Sequence, residues 1–335
     1  MAHPFDLPQV KSGKDLINVF EKTAQSLSKS PGSVKIDGVN ASVRFNGKEF
    51  VMDRGSKKEL DVKGITKNDL EARFGEGHGM IKSGGETLDI LNKSIPLIKP
   101  ELQKLGMLDD PNVMFNMEYV GGKTNVQDYD KNFLAIHSVM DMQTKEVEGK
   151  SGKMLTKRIA TEKNVDKNVL KSLIDKVNKV AKKEGFEIYG DVPTNFKRKP
   201  DFNSALSKRY TIVDGDQKIT KSLKDWLGEI NEIPKDKLVT LNGKKMGAVS
   251  KAVYMYVLDQ DDVSMFDDKK AAIDGAITYL ATEKLGDEIL KVLDSPMGSV
   301  EEHEGVVVRD SNIYDRPFKI TGKFILGGMA TSFRN

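Results

Sequence analysis

The chain has 335 residues, with 53 Lys and Arg against 50 Asp and Glu, so its net charge is only +3. This length suits one large domain or two ordinary ones, and the balanced charge neither requires nor excludes a nucleic-acid-binding groove. The absence of cysteine excludes disulfides, thiolate nucleophiles and cysteine-ligated metal sites. No apolar run reaches the roughly 18 residues of a membrane span, and the first residues lack the pattern of a signal peptide. We therefore expect a soluble, cytoplasmic protein with no membrane partner.

The first predicted elements are a helix and a hairpin. Residues 12–29 carry apolar side chains at helical spacing. Residues 41–52 alternate on both sides of Asn46-Gly47, a dipeptide that favours a two-residue hairpin turn. With such a turn Phe45 faces Lys48, and the second strand carries Arg54 back beside the start of the first.

The rest of the chain contains further helices and strands with a helical middle. Residues 65–110 show mixed helix and loop character, and residues 195–224 are polar and rich in lysine. The other predicted elements are strands at 113–120, 133–142, 305–309 and 318–325 and helices at 163–184 and 267–292. Strands at both ends around a largely helical middle favour the α+β class.

Lys35 is the candidate nucleophile. Several familiar sites are absent from the sequence, including the phosphate-binding loop, the His-Glu-x-x-His zinc site and the serine elbow. A neutral lysine amine is a good nucleophile, although a free lysine is protonated at neutral pH unless cations or a metal ion lie nearby. Taken alone, Lys35 is more typical of a surface lysine, so its context decides the interpretation.

Five short motifs supply that context. They are Lys35-Ile36-Asp37-Gly38, Asp53-Arg54-Gly55, Met117-Glu118-Tyr119, Glu304-Gly305-Val306-Val307-Val308-Arg309 and Phe318-Lys319-Ile320. In content and order they resemble the motifs of the covalent nucleotidyltransferase superfamily, which comprises DNA ligases, RNA ligases and mRNA capping enzymes. The resemblance implies a nucleotidyltransferase fold with ATP-grasp-like antiparallel sheets, and it implies ATP with Mg²⁺, or with Mn²⁺ in its place.

The resemblance also implies roles in catalysis. Lys35 would attack the α-phosphate of ATP, expel pyrophosphate and hold AMP as a phosphoramidate. Lys319 would meet the same phosphate, with Lys323 as a further catalytic lysine, and Arg54 would contact the nucleotide or the phosphate being joined. The remaining nucleotide-binding residues of the first motif would be Asp37, Gly38 and Asn40.

Two carboxylates and one ring complete the expected site. Glu118 would contact the ribose or help to hold the metal, and Glu304 would bind the metal. These hard oxygen ligands suit Mg²⁺. His137 lies where related RNA ligases place the aromatic ring that stacks on adenine. Each residue alone has a plainer interpretation: Glu118 as a solvent-facing strand residue, His137 as a core histidine, and residues 301–304 as a charged turn.

Asn40 favours the RNA-ligase branch. DNA ligases usually have arginine five residues after the nucleophile, whereas the group typified by the second RNA ligase of phage T4 has asparagine there. We therefore predict an ATP-dependent ligase that joins 5′-phosphate and 3′-hydroxyl ends. The alternatives are a nick-sealing DNA ligase, a capping-type guanylyltransferase, and a nucleic-acid-binding protein that keeps the fold without turnover.

Three departures from the family pattern shape the expected architecture. Residues 324–335 are too few for the oligonucleotide-binding barrel that follows the catalytic domain of DNA ligases. The long interval between Glu118 and Glu304 predicts a largely helical insertion at 151–298, a candidate nucleic-acid-binding subdomain, within a catalytic domain made of 1–150 and 299–335. Thr321 replaces the second lysine of the last motif, and Lys323 is the candidate substitute. We expect a monomer.

Overall fold

The computed structural model describes residues 1–36, 38–53, 63–123, 128–148 and 154–322. These residues form two compact units: Met1–Lys35 with the described residues from Val192 onward, and the described residues of Ile36–Asp191. Each unit mixes helices with antiparallel sheets. The prediction of a mixed α+β architecture is therefore confirmed. No helix in the described ranges has the length and apolar character needed to cross a membrane.

The α-helices differ widely in length. In the described ranges they are α1 Gly13–Lys29, α2 Leu70–Phe74, α3 Gly79–Leu105, α4 Lys167–Ala181, α5 Phe202–Leu206, α6 Leu223–Gly228, α7 Lys251–Leu258 and α8 Lys269–Leu290.

The strands are mostly short, except for three in the middle of the chain. They are β1 Ser33–Lys35, β2 Val39–Phe45, β3 Phe50–Asp53, β4 Val113–Lys123, β5 Asp128–Glu148, β6 Met154–Glu162, β7 Phe186–Tyr189, β8 Asn195–Phe196, β9 Arg209–Asp214, β10 Gln217–Ser222, β11 Leu238–Leu241, β12 Lys244–Gly247, β13 Leu293–Ser295, β14 Gly298–Ser299, β15 Gly305–Val308 and β16 Phe318–Thr321.

The unit of residues 36–191 is built on one large sheet with the strand order β3-β2-β4-β5-β6. Strand β7 adds a parallel pairing beside the first part of β5, and β6 pairs with its later part. One face of the sheet packs against α3 and α4 in a continuous apolar core, which includes Ala41, Phe115, Met117, Ile136, Leu102 and Val177. The polar side chains on the opposite face are therefore available for a site.

The other unit contains a three-stranded antiparallel sheet with the order β1-β15-β16, which packs beside α8. Small residues allow α8 to approach its neighbours closely. A Cβ at Gly286 would lie 2.4 Å from the carbonyl oxygen of Thr321, and a Cβ at Gly275 would lie 2.2 Å from that of Ala248. Gly286 brings the helix into backbone contact with β16, which carries Lys319, and Gly275 brings it into contact with the backbone at Ala248.

Helix α1 agrees closely with the sequence prediction. The Ser12 side chain accepts a hydrogen bond from the Asp15 N–H at 3.2 Å, and the Asp15 carboxylate accepts one from the Ser12 N–H at 2.9 Å. This reciprocal capping satisfies two free N–H groups at the helix start. Leu16, Phe20 and Leu27 lie buried on one face, so the face predicted from the helical periodicity is the one that is buried.

The predicted two-residue turn of the first hairpin is wrong. Phe45 pairs with Phe50 rather than with Lys48, so the loop has four residues. The Asn46 side-chain oxygen accepts hydrogen bonds at 3.0 Å from the N–H groups of Lys48 and Glu49. An asparagine side chain that bonds to the following backbone stabilises a longer turn, and this local bond explains the difference. Arg54 lies outside the described residues.

The two compact units divide the described part of the chain near residues 35 and 191. Residues 154–191 group with the described residues of 36–148, and residues 192–298 group with the two ends of the chain. The latter segment holds helices α5 to α8 but also the hairpins β9–β10 and β11–β12. These strands have only four to six residues each, which is too short for their periodicity to separate them from loops.

Candidate functional site

Lys35 and Lys319 lie on the same face of the sheet β1-β15-β16. The register pairs Ser33 with Val307 and Val307 with Lys319, and Lys35 follows Ser33 by two positions. Side chains two apart on a strand share a face. The alternate residues of the three strands, among them Val34, are fully buried on the opposite face. The apolar face thus anchors the sheet and leaves both lysines on the other side.

Glu304 joins Lys35 on this face. Its Oε2 forms an ion pair with the Lys35 Nζ, with the two side chains 15% and 21% exposed. Glu304 immediately precedes β15, where a Cβ at Gly305 would lie 2.0 Å from the Ile320 carbonyl oxygen. Glycine is therefore required at 305 for β15 to approach β16, and this packing fixes the carboxylate beside Lys35.

The charge of Lys319 is disfavoured in this surrounding. Burial lowers the pKa of Lys319, and the nearby positive charge of Lys35 acts in the same direction, while the carboxylate of Glu304 partly offsets both. A partly buried amine whose pKa is lowered by burial and by a neighbouring cation is a candidate functional group. We call Lys35, Glu304 and Lys319 the lysine cluster.

His3, which the sequence analysis missed, lies near the lysine cluster. The Lys319 N–H donates to the carbonyl oxygen of Ala2 at 3.0 Å, which holds the first residues along β16. Burial lowers the pKa of His3 to about 4, and the charges of Lys319 and Lys35 contribute to this effect. The imidazole is therefore neutral at pH 7 and adds no further positive charge. An isolated histidine near the start of a chain carries no pattern that predicts this position.

The last motif is described only in part. Thr321, which stands in place of the second lysine, is 6% exposed and pairs with Gly305. Lys323 lies outside the described residues, as do Asp37 and Arg54.

The second group of predicted residues lies in the unit of residues 36–191 and centres on Glu118. Its Oε1 accepts a hydrogen bond from the Gly38 N–H at 3.1 Å, and its Oε2 lies 2.9 Å from the Nε2 of His137. A Cβ at Gly38 would lie 2.6 Å from the Tyr119 carbonyl oxygen, so only glycine allows this approach. We call Gly38, Glu118 and His137 the glutamate–histidine cluster.

A β-bulge places His137 beside Glu118. Strand β4 pairs Asn116 with Ser138 and Met117 with Ile136, so His137 is an extra residue between two pairs. Its side chain points to the polar face with Glu118 and is 17% exposed. The interpretation of His137 as a core histidine is therefore not what the structure shows.

The sequence contains a signal for this bulge. The residues of β5 that face the core are Leu134, Ile136 and Val139, a spacing of two followed by three. A regular strand keeps a spacing of two throughout, so the change in spacing indicates one inserted residue between Ile136 and Val139.

Asn40 lies opposite Glu118 on the neighbouring strand β2. Its Nδ2 donates to the Oδ1 of Asn116 at 3.0 Å and, more weakly, to the carbonyl oxygen of Met117 at 3.4 Å. Asn116 was not predicted as a site residue. Its amide oxygen orients the Asn40 side chain on the same polar face.

A buried ionic network also escaped the sequence analysis. Asp53, the first residue of the second motif, accepts two hydrogen bonds from Arg158 at 3.0 and 2.9 Å, and the Nε of Arg44 lies 3.6 Å from its carboxylate. Arg44 is fully buried and Arg158 is 2% exposed. Two arginines on one buried carboxylate fix the end of β3, immediately before Arg54.

A cavity of about 580 Å³ borders His137. Its walls include apolar side chains such as Val139 and Ile174, and lysines such as Lys167 and Lys171 lie among the lining residues. A volume in this range fits a small ligand, and His137 is the member of the glutamate–histidine cluster that lines it.

Glu118 and Glu304 are the two carboxylates expected to hold a metal ion. The described residues contain no group of three or more His, Asp or Glu side chains placed to hold an ion. Glu118 and Glu304 each provide one carboxylate within its own cluster. Mg²⁺ commonly takes only one or two protein carboxylates together with substrate phosphates, and a single carboxylate of either cluster is compatible with that mode of binding.

Comparisons with family models, with curated proteins and with solved structures gave no significant match.

Proposed function

We propose that the protein is an ATP-dependent polynucleotide ligase of the RNA-ligase type, with a nucleotidyltransferase catalytic fold. The observation that carries this proposal is the pairing of Lys35 with Glu304. These residues are separated by 269 positions and come from two different motifs. They lie on one sheet face with Lys319 from a third motif. Motif order and spatial grouping are independent observations, and both support the same chemistry.

In the proposed first step, the neutral amine of Lys35 attacks the α-phosphorus of ATP. A P–N bond forms, the bond to the bridging oxygen of pyrophosphate breaks, and the amine proton passes to Glu304 or to solvent. Lys319 contacts the non-bridging oxygens and offsets the charge that builds on them. Mg²⁺, when bound with the ATP phosphates, supplies further charge neutralisation there.

The glutamate–histidine cluster is proposed to recognise the nucleoside. Glu118 is held by the Gly38 N–H and by His137, so its carboxylate is already oriented towards a ribose hydroxyl. His137 offers a ring face to adenine, and the adjoining cavity has room for a base. In the later steps AMP passes to a 5′-phosphate, and a 3′-hydroxyl then displaces it to form the phosphodiester bond.

Two observations bear on the alternatives. Asn40, with its amide oriented by Asn116, supports an RNA rather than a DNA substrate. Thr321 is buried and stands in place of the second lysine of the last motif. This replacement supports the alternative of a protein that binds nucleic acid without turnover. Ligation assays on nicked duplexes, made wholly of DNA or with RNA at the break, separate the RNA ligase from the DNA ligase.

Intact mass spectrometry after incubation with ATP and Mg²⁺ tests the proposed function. We expect an AMP adduct on the native protein and none on Lys35→Ala, whereas Lys48→Ala, at an exposed lysine of the first hairpin, keeps the adduct. Parallel incubations with GTP and NAD identify the nucleotide. A folded protein that forms no adduct with any of the three would exclude the proposed chemistry.

A further inference from the structure

A second cavity has a lining that includes no residue of the lysine cluster or of the glutamate–histidine cluster. It has a volume of about 370 Å³ and opens between α1 and residues 196–202. Phe196, Pro200 and Phe202 provide its apolar wall, and Arg198, Lys199 and Glu21 add charged side chains to its lining. This segment is part of the lysine-rich region whose role the proposed chemistry leaves unassigned.

The aromatic wall is fixed by packing. The Phe202 ring contacts the buried Phe20 ring edge-on, with 6.4 Å between the centroids. Phe196 pairs with Leu293 in β8 and β13, and the next N–H donates to the Val292 carbonyl oxygen at 2.8 Å. Both rings nevertheless remain partly exposed. They therefore form a preformed surface on which a planar group can stack.

The three basic residues of this segment differ in their surroundings. Lys197 forms an ion pair with Asp294 at 3.3 Å. Arg198 and Lys199 are exposed, and within the described ranges neither forms an ion pair. The cavity thus has two cations available for a ligand against the single carboxylate of Glu21. This excess of positive charge beside aromatic rings fits an anionic ligand that has a flat apolar part.

We propose that this cavity binds one nucleotide of a single-stranded RNA, with the base against Phe196, Phe202 and Pro200 and the phosphates on Arg198 and Lys199. Stacking on aromatic side chains combined with backbone contacts to basic ones is the usual way to hold single strands. A volume near the lower end of the roughly 300–1,000 Å³ of ligand pockets accepts an unpaired base and excludes a duplex. The inference rests on the proposed ligase function, because it assigns the binding site of the strand to be joined.

Fluorescence anisotropy with a labelled single-stranded RNA oligonucleotide tests this inference on the full chain. We expect Arg198→Gln, Lys199→Gln and Phe202→Leu each to weaken binding about tenfold. The two charge variants should also lower the slope of affinity against salt concentration by about one. Lys197→Gln is the matched control: it removes the same charge from the same segment but lies outside the cavity lining, and we expect a change of less than about twofold.

Several results would overturn the inference. Equal losses for Lys197→Gln and Arg198→Gln would indicate general electrostatic attraction rather than a site. Unchanged RNA affinity in Phe202→Leu, with unchanged thermal unfolding, would show that the base does not stack on Phe202. Tighter binding of duplex RNA or of an acidic peptide to the same residues would identify a different occupant, and equal binding of single-stranded DNA would remove the assignment to RNA.

The adduct assay separates this inference from the proposed function, since transfer of AMP to Lys35 needs no strand. If the adduct forms and the cavity variants bind RNA normally, the inference fails and the ligase chemistry stands. If RNA binding depends on the cavity but no adduct forms, the cavity stands as a single-strand site and the ligase chemistry fails.

Discussion

Glu118 and His137 are held side by side, with 2.9 Å between Oε2 and Nε2, because one extra residue in β5 turns the imidazole to the polar face of the sheet. The same carboxylate binds the Gly38 N–H at 3.1 Å. One side chain therefore links Gly38, in the motif of the proposed nucleophile, to the proposed adenine-stacking ring, and this link motivates the first prediction.

Glu118→Gln should impair adenylylation and leave the fold intact. Glutamine keeps an acceptor for the Gly38 N–H but removes the charge that faces His137 and the proposed ribose site. We expect the rate of adduct formation to fall about tenfold or more, in line with the loss of one charge-assisted hydrogen bond. Time-resolved intact mass measures the rate, and circular dichroism checks the fold. Adduct formation at the native rate in this variant would show that Glu118 does not take part in adenylylation.

Glu304→Gln should separate activity from stability. The ion pair with Lys35 is mostly buried, with side-chain exposures of 15% and 21%, and breaking a buried pair from one side costs roughly 3–5 kcal/mol. Glutamine keeps an oxygen that accepts a hydrogen bond from the Lys35 Nζ. We therefore expect the free energy of unfolding to change by less than that cost, while adduct formation slows on the order of a hundredfold. A large stability loss with normal adduct formation would assign Glu304 a structural role instead.

Asp53→Asn should destabilise the protein strongly. The substitution removes the carboxylate charge that pairs with Arg158 and with the fully buried Arg44. Breaking a buried ion pair from one side costs roughly 3–5 kcal/mol. Urea denaturation measures this loss, and Asp236→Asn, at an exposed aspartate, serves as the control with an expected change below about 0.5 kcal/mol. Similar values for both variants would contradict the network.

His3 should make stability depend on pH. Its pKa is about 4 in the folded protein, against 6.5 for the free side chain. Between these values the unfolded chain binds a proton that the folded protein excludes, so stability falls as the pH drops from 6.5 towards 4. The full shift corresponds to roughly 3 kcal/mol. We expect His3→Gln to lose this part of the dependence in unfolding measurements at pH 7 and pH 4.5, and parallel pH profiles would disprove the assignment.

Gly305→Ala should disrupt the sheet that holds the lysine cluster. The added Cβ would lie 2.0 Å from the Ile320 carbonyl oxygen, so β15 and β16 have to separate. We expect a destabilisation of about 1–3 kcal/mol, as for other overpacked positions, together with slower adduct formation. Gly79→Ala, where a Cβ meets no atom within 4 Å, is the matched control. Its thermal unfolding should match that of the native protein, and a native-like Gly305→Ala would show that the sheet tolerates the strain.

Elements of the fold could be predicted from the sequence where the interactions that form them are between residues close in the chain. Helices α1 and α4 follow from periodicity, because each buries one face and its apolar residues recur at helical spacing along that face. The turn of the first hairpin was mispredicted because the Asn46 side chain bonds to the two backbone N–H groups of residues 48 and 49. The division at residues 35 and 191 depends on long-range packing, which no local pattern records.

The candidate site was predictable to the extent that motif order reflects chemistry. Lys35, Glu304 and Lys319 were named from the sequence, and the structure brings them onto one face of a sheet. Arg44, Arg158 and Asn116 were missed because their partners lie on other strands. A single sequence gives no indication of which cross-strand pairs form.

The bulge at His137 has a consequence for how this position can vary. Because His137 is the extra residue between two regular pairs, its deletion would join those pairs into an uninterrupted ladder, and Leu134, Ile136 and Val139 would keep their inward orientation. The strand is complete without the histidine. A lineage could therefore gain or lose the ring by insertion or deletion of one codon, and the core would not have to change with it.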